Sequence, residues 1–203
     1  MTDQPQTIGQ SQTSGAPSQV LVVGAGPVGL AAAIELGQRG IHVRVVEEAR
    51  EFGINPRAKT TNVRSMELMR RWGIADKVRA AAPLPRDYRN DIVFATSLGG
   101  FEVARIEDVL AFGPERDSRY SEGGQWIPQY RLAQVMRDHA RSLPSVELLY
   151  GHRLEDFEER TDGVAARVVD VESGETRGFV ADYMIGADGG RSTVRDLLEI
   201  KHI

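Results

Sequence analysis

Near the start of the chain, the pattern of apolar and polar residues predicts two short strands with a helix between them. The run Val20–Val23 is short, continuous and apolar, as in strands that are buried on both faces. Small and apolar residues then recur at helical spacing from Pro27 to about Arg39, and Gly40 is placed to end that helix. The segment His42-Val43-Arg44-Val45-Val46 is predicted to form the second strand. This order of strand, helix and strand predicts an α/β fold with a parallel sheet.

The middle of the chain is more polar and predicts helices, loops and one hairpin. Pro56 disfavours helical conformation at Asn55, and alternating apolar and polar residues flank Gly99 in a hairpin pattern. The predicted elements are a loop at 51–59, helices at 61–72 and 74–82, a hairpin at 91–107, a loop at 110–125 and a helix at 131–142.

The last part of the chain contains three strand-like segments, Val146–Tyr150, Val164–Val171 and Arg177–Ile185. Turn sequences, Asp162-Gly163 and Ser173-Gly174, precede the second and third of these segments. Polar segments of this kind predict an antiparallel meander laid on the parallel sheet.

Composition excludes several classes of function. The 203 residues can form one domain or slightly more, and the net charge of −4 is spread along the chain without a basic, aromatic-rich patch. We therefore expect no nucleic-acid partner. The sequence has no cysteine, and its four histidines lie far apart, so no disulfide, thiolate nucleophile or metal site is predicted. No apolar run approaches the length of a membrane span and no secretion signal is recognised, so we expect a cytoplasmic protein with no membrane partner.

The first dense motif is Gly24-Ala25-Gly26-Pro27-Val28-Gly29, directly after the first predicted strand. Gly24 would make the tight turn, Gly26 would let the backbone approach a pyrophosphate, and Gly29 would let the helix pack on the strand. Pro27 stands near the first helical turn, where its missing N–H costs least. The helix would then direct its N–H groups and positive dipole end at phosphates, as in Rossmann-like folds.

An acidic residue follows at the spacing expected for ribose recognition. Glu47 lies at the end of the second strand, 18 residues after Gly29, where its carboxylate can accept hydrogen bonds from a ribose hydroxyl. The negative charge of Glu47 would repel a 2′-phosphate on that ribose. The first motif therefore predicts FAD or NAD as the ligand and does not separate the two.

A second motif places an aspartate in a glycine-rich turn between a strand and a helix. Its sequence is Met184-Ile-Gly-Ala-Asp-Gly-Gly-Arg-Ser-Thr-Val-Arg195. Ser192 or Thr193 is a candidate N-cap, and Thr193 with Asp196 fits a capping box. Asp188 would either contact a ligand or only fix the turn.

Taken in order, four segments resemble the FAD-dependent aromatic hydroxylases, the class A flavoprotein monooxygenases of the para-hydroxybenzoate and phenol hydroxylase type. They are Gly24–Gly29, Pro56-Arg57-Ala58 with Arg64–Glu67, Ile127-Pro128-Gln129, and Gly186-Ala187-Asp188-Gly189. The resemblance covers about residues 19–200. The segment around Asp188 is the most specific part, since ordinary NAD dehydrogenases lack it.

The resemblance implies a role for each matching residue. Gly24, Gly26, Pro27 and Gly29 would hold the FAD pyrophosphate, and Glu47 would bind the adenosine ribose.

Further roles fall in the later segments. Arg57 would lie beside the diphosphate and ribityl region, where a guanidinium is a bidentate phosphate partner. Gln129 would contact the ribityl chain. Asp188, with Gly189, would bond near the ribityl–pyrophosphate part, in a turn that is also tied to NAD(P)H use. Arg195 would brace that turn or lie on the helix surface.

The implied fold is an α/β Rossmann-like FAD-binding domain, with a parallel sheet plus an antiparallel meander, and an incomplete α+β substrate domain. The FAD-binding domain would comprise 18–86 and 126–203, the partial substrate-domain insert 87–125, and a disordered tail 1–17. Family members continue into a third, Gly-Asp FAD motif that this sequence does not contain, so the resemblance covers an N-terminal portion.

Three hypotheses follow. The first is an NAD(P)H- and O2-dependent monooxygenase that hydroxylates a phenol-like aromatic substrate, with no catalytic acid, base or nucleophile assigned in this chain. The second is a truncated, non-catalytic FAD-binding module that forms a homo-oligomer or needs a complementing chain. The third is an NAD-dependent dehydrogenase.

Overall fold

The computed structural model describes residues 18–51, 53, 57–85, 87–112 and 118–201. The chain divides into two compact units, one formed by 1–52 with 136–203 and the other by 53–135. The predicted disordered tail and the Asn55-Pro56 pair lie outside the described residues. In the described part, no helix combines the length and the apolarity that crossing a membrane requires.

The first unit is built on a six-stranded sheet of order β7-β2-β1-β10-β9-β8. Its strands are β1 (Ser18–Val23), β2 (Val43–Glu47), β7 (Val146–Tyr150), β8 (His152–Arg160), β9 (Gly163–Asp170) and β10 (Thr176–Gly186). Its helices are α1 (Pro27–Gly37), the C-terminal part of α4 (Gln129–Arg141) and α5 (Thr193–Leu197), with a 3₁₀ turn at Gly189–Arg191.

The type of strand pairing changes once across this sheet, from parallel to antiparallel. Strands β7, β2, β1 and β10 are parallel, whereas β10, β9 and β8 form an antiparallel meander. The predicted parallel sheet and meander are confirmed, with one correction. The segment Val146–Tyr150 pairs in parallel with β2 and is not part of the meander.

The third meander strand is β8, which the sequence pattern did not predict. Most of its positions carry charged or polar side chains, and only Leu154 is buried. The strand forms because a tight turn at Gly163, with φ of 144°, returns the chain so that β8 pairs along β9. Pairing with a neighbour therefore outweighs its weak apolar pattern.

Both faces of the two central parallel strands, β1 and β2, are buried, as the continuous apolar run of β1 requires. On one face Leu21 and Val46 share a core with Leu154, Val168 and Phe179, so the meander strands and the parallel strands bury each other. Helix α1 packs against β1, β2 and β7. It ends at Gly37, two residues before the predicted end, and the chain then turns through Gly40 at φ 77°.

The described residues of the second unit form two short antiparallel pairs and several helical segments. Its elements are β3 (Thr60–Thr61), α2 (Val63–Arg71), α3 (Ala75–Ala81), β4 (Ile92–Ala95), β5 (Glu102–Ile106), a 3₁₀ turn at Val109–Ala111, β6 (Gln125–Trp126) and the start of α4. The two predicted helices and the hairpin are confirmed. Gln125 lies in a strand instead of the predicted loop because β6 pairs with distant β3, and α4 begins two residues before Arg131.

Candidate dinucleotide-binding site

The two glycine-rich turns meet at the C-terminal ends of neighbouring parallel strands. Val23, the last residue of β1, is paired with Gly186 at the end of β10. The Ala187 N–H donates to the Val23 carbonyl at 2.8 Å, and the Gly24 N–H donates to the Val46 carbonyl at 2.8 Å. Ligands of open α/β sheets bind in the crevice where neighbouring strand connections diverge. Here β1 is flanked by β2 on one side and β10 on the other.

Gly24 is required by its backbone angle and by the second turn. Its φ is 102°, which side chains rarely adopt, and a Cβ there would lie 2.5 Å from the Ala187 carbonyl oxygen. The tight turn predicted at Gly24 is therefore also a point of contact between the two motifs.

Packing within the protein requires a glycine at position 29 but not at position 26. A Cβ on Gly29 would lie 1.8 Å from the Gly24 carbonyl oxygen, so only glycine lets α1 start this close to the turn. A Cβ on Gly26 would meet nothing within 4 Å, and the Gly26 backbone is extended with φ of −68°. The packing of the protein does not require a glycine at Gly26, and the open space beside it fits a pyrophosphate.

The N-terminus of α1 has no side-chain cap, so no cap competes with a ligand for its first N–H groups. Gly26 is the N-cap and has no side chain to accept a bond, Pro27 occupies the first turn, and that turn carries no acidic residue. An eleven-residue helix with an uncapped N-terminus presents partial positive charge, which favours an anion such as a phosphate.

Glu47 lies at the end of β2, beside the first glycine turn. Its Oε2 accepts from the Ala25 N–H at 2.6 Å, and its Oε1 accepts from the Ala49 N–H at 2.9 Å. The Glu47 carboxylate thus stabilises the first glycine turn through the Ala25 N–H. Each oxygen retains a second lone pair that can accept a hydrogen bond from a ribose hydroxyl.

A pocket adjoins these residues, and its empty volume is about 430 Å³ when the part open to solvent is included. Gly24, Glu47 and Asp188 line it together with His152 and Arg153, which the sequence analysis missed. These two residues open strand β8, so they were overlooked with the strand itself. Recognising the alternation around buried Leu154 would have pointed to them.

Asp188 fixes the second turn with both carboxylate oxygens. Ser192 Oγ donates to Oδ1 at 2.5 Å, and the Val194 N–H donates to Oδ2 at 3.1 Å. Ser192 is the N-cap of α5, because its Oγ accepts from the Arg195 N–H at 3.0 Å. Thr193 is the first helical residue, so the predicted Thr193–Asp196 capping box is wrong.

Arg195 braces the turn from the helix. Its guanidinium donates to the carbonyls of Gly189 and Gly190 at 3.3 and 2.7 Å. Gly189 itself has a φ of 82°, which explains a glycine at that position.

The remaining predicted residues, Arg57 and Gln129, lie in the second unit. Arg57 is exposed. Gln129 is the first residue of α4, and its N–H donates to the Ala58 carbonyl at 2.8 Å. The Ile127 N–H donates to the Lys59 carbonyl at 2.9 Å, which continues the β3–β6 pairing. The structure therefore brings the segment after Arg57 next to Gln129.

A tyrosine at the end of β7 adds an electrostatic feature that the sequence analysis did not identify. Tyr150 is paired with Glu47 in the strand register. Burial raises the pKa of the Tyr150 hydroxyl, against the opposing effect of Arg137 and Arg141. The two guanidinium carbons lie 5.4 and 5.7 Å from the ring centre. A phenol with a raised pKa stays neutral at physiological pH, so it adds no charge next to Glu47.

Known proteins resemble this chain along nearly its whole length. The phenol 2-monooxygenase of Pseudomonas sp. (strain EST1001) is 32% identical over 188 residues, which are 91% of this chain and 30% of that protein. The aklavinone 12-hydroxylase DnrF of Streptomyces peucetius subsp. caesius is 33% identical, over 89% of this chain and 37% of that protein. The structure of the flavin-dependent monooxygenase PieE with FAD and substrate aligns with a TM-score of 0.82 and 34% identity, covering 92% of this chain and 33% of PieE.

The chain spans about a third of the length of these relatives. The family described as "FAD binding domain" matches residues 17–203. This match and the relatives confirm the resemblance to FAD-dependent aromatic hydroxylases, and they resolve the choice between FAD and NAD in favour of FAD. The chain belongs to the FAD binding domain family.

Proposed function

We propose that this chain is the FAD-binding part of an NAD(P)H- and O2-dependent monooxygenase that hydroxylates an aromatic substrate. The observation that carries the proposal is the open space at Gly26, which lies between the tight turn at Gly24 and the uncapped start of α1. The protein's own packing leaves that space empty, and its N–H groups and dipole favour a pyrophosphate.

The proposed roles follow the geometry of each unit. In the first unit, Gly24, Gly26, Pro27 and Gly29 hold the pyrophosphate through backbone N–H groups, and Glu47 accepts from the adenosine ribose.

Asp188 and Gly189 hold the second turn beside the same crevice. In the second unit, Arg57 and Gln129 take the diphosphate and ribityl contacts. The chemistry that FAD would supply when bound is transfer of electrons from NAD(P)H to O2, with one oxygen atom inserted into a ring C–H bond and the other released as water.

An aromatic substrate is supported by the relatives, which include a phenol monooxygenase, an aklavinone hydroxylase and a flavin-dependent monooxygenase in complex with FAD and substrate. We keep the division into an FAD-binding domain, 18–86 with 126–203, and a partial substrate domain, 87–125, as part of the proposal. Dependence on NAD(P)H supports a cytoplasmic location.

A second candidate is a non-catalytic FAD-binding module that needs a complementing chain or a second copy. The β4–β5 hairpin favours it, because Phe94, Phe101 and Val103 are 52%, 85% and 71% exposed. Two-stranded ribbons are marginally stable in water, and apolar patches of this kind mark interaction surfaces.

One set of measurements separates the candidates. The purified chain is titrated with FAD by flavin fluorescence, then mixed with NAD(P)H and phenol, and the product is analysed by mass spectrometry. FAD binding with NAD(P)H oxidation and a hydroxylated product supports the monooxygenase. Oxidation and product that appear only when a polypeptide equivalent to the rest of a relative is added support the monooxygenase as well. FAD binding with no oxidation in either case supports the non-catalytic module. Failure to bind FAD would contradict both.

A further inference from the structure

The pocket beside Glu47 lies within the first unit, and the proposed cofactor contacts use only part of its lining. Gly24, Glu47 and Asp188 have roles in that proposal, whereas Glu48 and Arg153 have none. Glu48 follows the last residue of β2, and Arg153 is the second residue of β8. Two segments that are distant in sequence therefore bring an acidic and a basic side chain to the same pocket.

The charge of the lining favours a neutral ligand group over a further phosphate. Three carboxylates line the pocket together with two guanidinium groups; the residues are Glu47, Glu48, Asp188, Arg153 and Arg191. An additional anion would be repelled by the excess of carboxylates, whereas a planar base carries no charge and offers a π face to a cation. The pocket therefore suits the base of a dinucleotide better than its phosphates.

The ribose contact assigned to Glu47 brings a base close to this pocket. In the proposed function, the phosphates lie at the start of α1 and Glu47 accepts from the adenosine ribose. Adenine is bonded directly to that ribose, and the Glu47 side chain that would hold the ribose lines the pocket. A base in the pocket loses contact with water on the side of β8.

The backbone that carries Arg153 is fixed on both sides. Arg153 is paired with Val169 of β9 in the strand register, and the next residue, Leu154, is 3% exposed in the core. The preceding residue, His152, donates through Nδ1 to the Tyr150 carbonyl at 2.9 Å. A side chain attached to a fixed strand has less freedom to lose when a ligand binds.

The Arg153 guanidinium can keep its protein partner and still contact a ring. Its Nη1 lies 3.5 Å from Glu48 Oε1, and the two side chains are 49% and 60% exposed. An ion pair engages the edge of a guanidinium, where the N–H groups lie, and leaves the flat faces of the group open to an aromatic ring.

We propose that Arg153 stacks its guanidinium on the adenine ring of bound FAD, while Glu48 holds the edge of that guanidinium. The assignment rests on the proposed function, which places FAD in this crevice. Arg153 is then a residue that binds the adenosine half of the cofactor and makes no contact with the flavin.

The test measures binding of FAD, FMN and ADP to the full chain, with flavin fluorescence for the first two and calorimetry for ADP. Arg153→Gln should weaken FAD and ADP by about threefold to fivefold, which is the gain typical of a cation–π contact at a partly exposed site. Binding of FMN should not change, because FMN has no adenosine.

Arg153→Lys separates stacking from charge. A lysine keeps the positive charge beside Glu48 but lacks the planar group, so this variant should still bind FAD and ADP more weakly than the unmodified protein. Arg50→Gln is the matched control, since the Arg50 side chain is 55% exposed, pairs with Glu172 and does not line the pocket. It should leave all three affinities unchanged, and circular dichroism checks that each variant is folded.

Unchanged FAD affinity in Arg153→Gln, an equal loss for FMN, full recovery in Arg153→Lys or an equal loss in Arg50→Gln would each overturn the assignment. If ADP binds too weakly to measure, the comparison of FAD with FMN decides.

The two proposals fail in different ways. Normal FAD binding by Arg153→Gln overturns only the assignment of Arg153. Binding of ADP without FAD, with the expected loss in Arg153→Gln, would contradict the flavin function and leave the adenine contact standing. Absence of binding by both FAD and ADP would contradict both.

Discussion

Gly26 is the position at which flavin binding and folding can be separated. The change Gly26→Val adds a branched side chain to the N-cap of α1. The added Cβ has nothing within 4 Å, and the extended Gly26 backbone suits valine. The variant should therefore fold, with the new side chain occupying the space that we assign to the pyrophosphate.

The magnitudes of the two effects differ. Replacing glycine at an N-cap by an apolar residue costs about 1 kcal/mol or less of unfolding free energy. If the side chain displaces the pyrophosphate from two backbone N–H groups, the loss is about 3 kcal/mol or more, since hydrogen bonds to charged groups contribute about 1.5–3 kcal/mol each. FAD should then bind at least about 100-fold more weakly.

Urea unfolding followed by circular dichroism gives the stability, and quenching of flavin fluorescence gives the FAD dissociation constant. Two glycine variants serve as controls. Gly29→Ala places a Cβ 1.8 Å from the Gly24 carbonyl and should lose stability and flavin binding together. Gly99→Val adds the same bulk to open space in the hairpin turn and should change neither.

Unchanged FAD affinity in a folded Gly26→Val protein would refute the pyrophosphate assignment. If Gly26→Val lost as much stability as Gly29→Ala, the claim that packing does not require a glycine at position 26 would be refuted, because the fold itself would then need Gly26.

Three further predictions follow from contacts elsewhere. Asp188→Ala should lower the unfolding free energy by about 1–3 kcal/mol in urea titrations, since the Ser192 hydroxyl and the Val194 N–H lose their acceptor, and Asp188→Asn should lose less. Two backbone N–H groups lower the pKa of Asp170, so its carboxylate stabilises the fold at neutral pH and this effect disappears as the pH falls below about 4. On acidification, the urea midpoint of Asp170→Asn should therefore fall less than that of the unmodified protein. Equal falls in the two proteins would contradict this prediction. Phe94→Ser with Phe101→Ser should reduce concentration-dependent self-association in sedimentation velocity, and no change would show that the exposed hairpin is not the associating surface.

Local patterns predicted the elements whose own sequence is sufficient to form them. Val20–Val23 is apolar along its whole length, three of the five residues in His42–Val46 are valines, and the glycine turn between strand and helix has a backbone requirement that only glycine meets. Strand β8 was missed because its charged sequence gains its structure from pairing with β9. The short pair β3–β6 was missed for the same reason, since Thr60 and Trp126 are distant in sequence.

The positions of the two glycine-rich turns in the fold were predicted better than the contacts between them. Glycine spacing and the position of Glu47 after the second strand placed the first motif correctly beside the end of β2. The long-range contact between Gly24 and Ala187 could not be predicted, because nothing in either segment specifies which strand lies next to β1. His152 and Arg153 escaped notice because they begin strand β8, which was not predicted, and the pocket that they line is assembled from separate segments of the chain.

The two acidic residues that the sequence assigned to the ligand hold the protein backbone. Glu47 accepts from the Ala25 N–H in the first turn, and Asp188 accepts from Ser192 and the Val194 N–H behind the second. Half-buried N–H groups require acceptors, and tight turns leave several of them without partners in regular structure. Because Gly24 contacts the Ala187 backbone directly, fixing either turn fixes the other. The acidic residues therefore shape the crevice before any ligand arrives, and only their remaining lone pairs are available to a ribose or a ribityl hydroxyl.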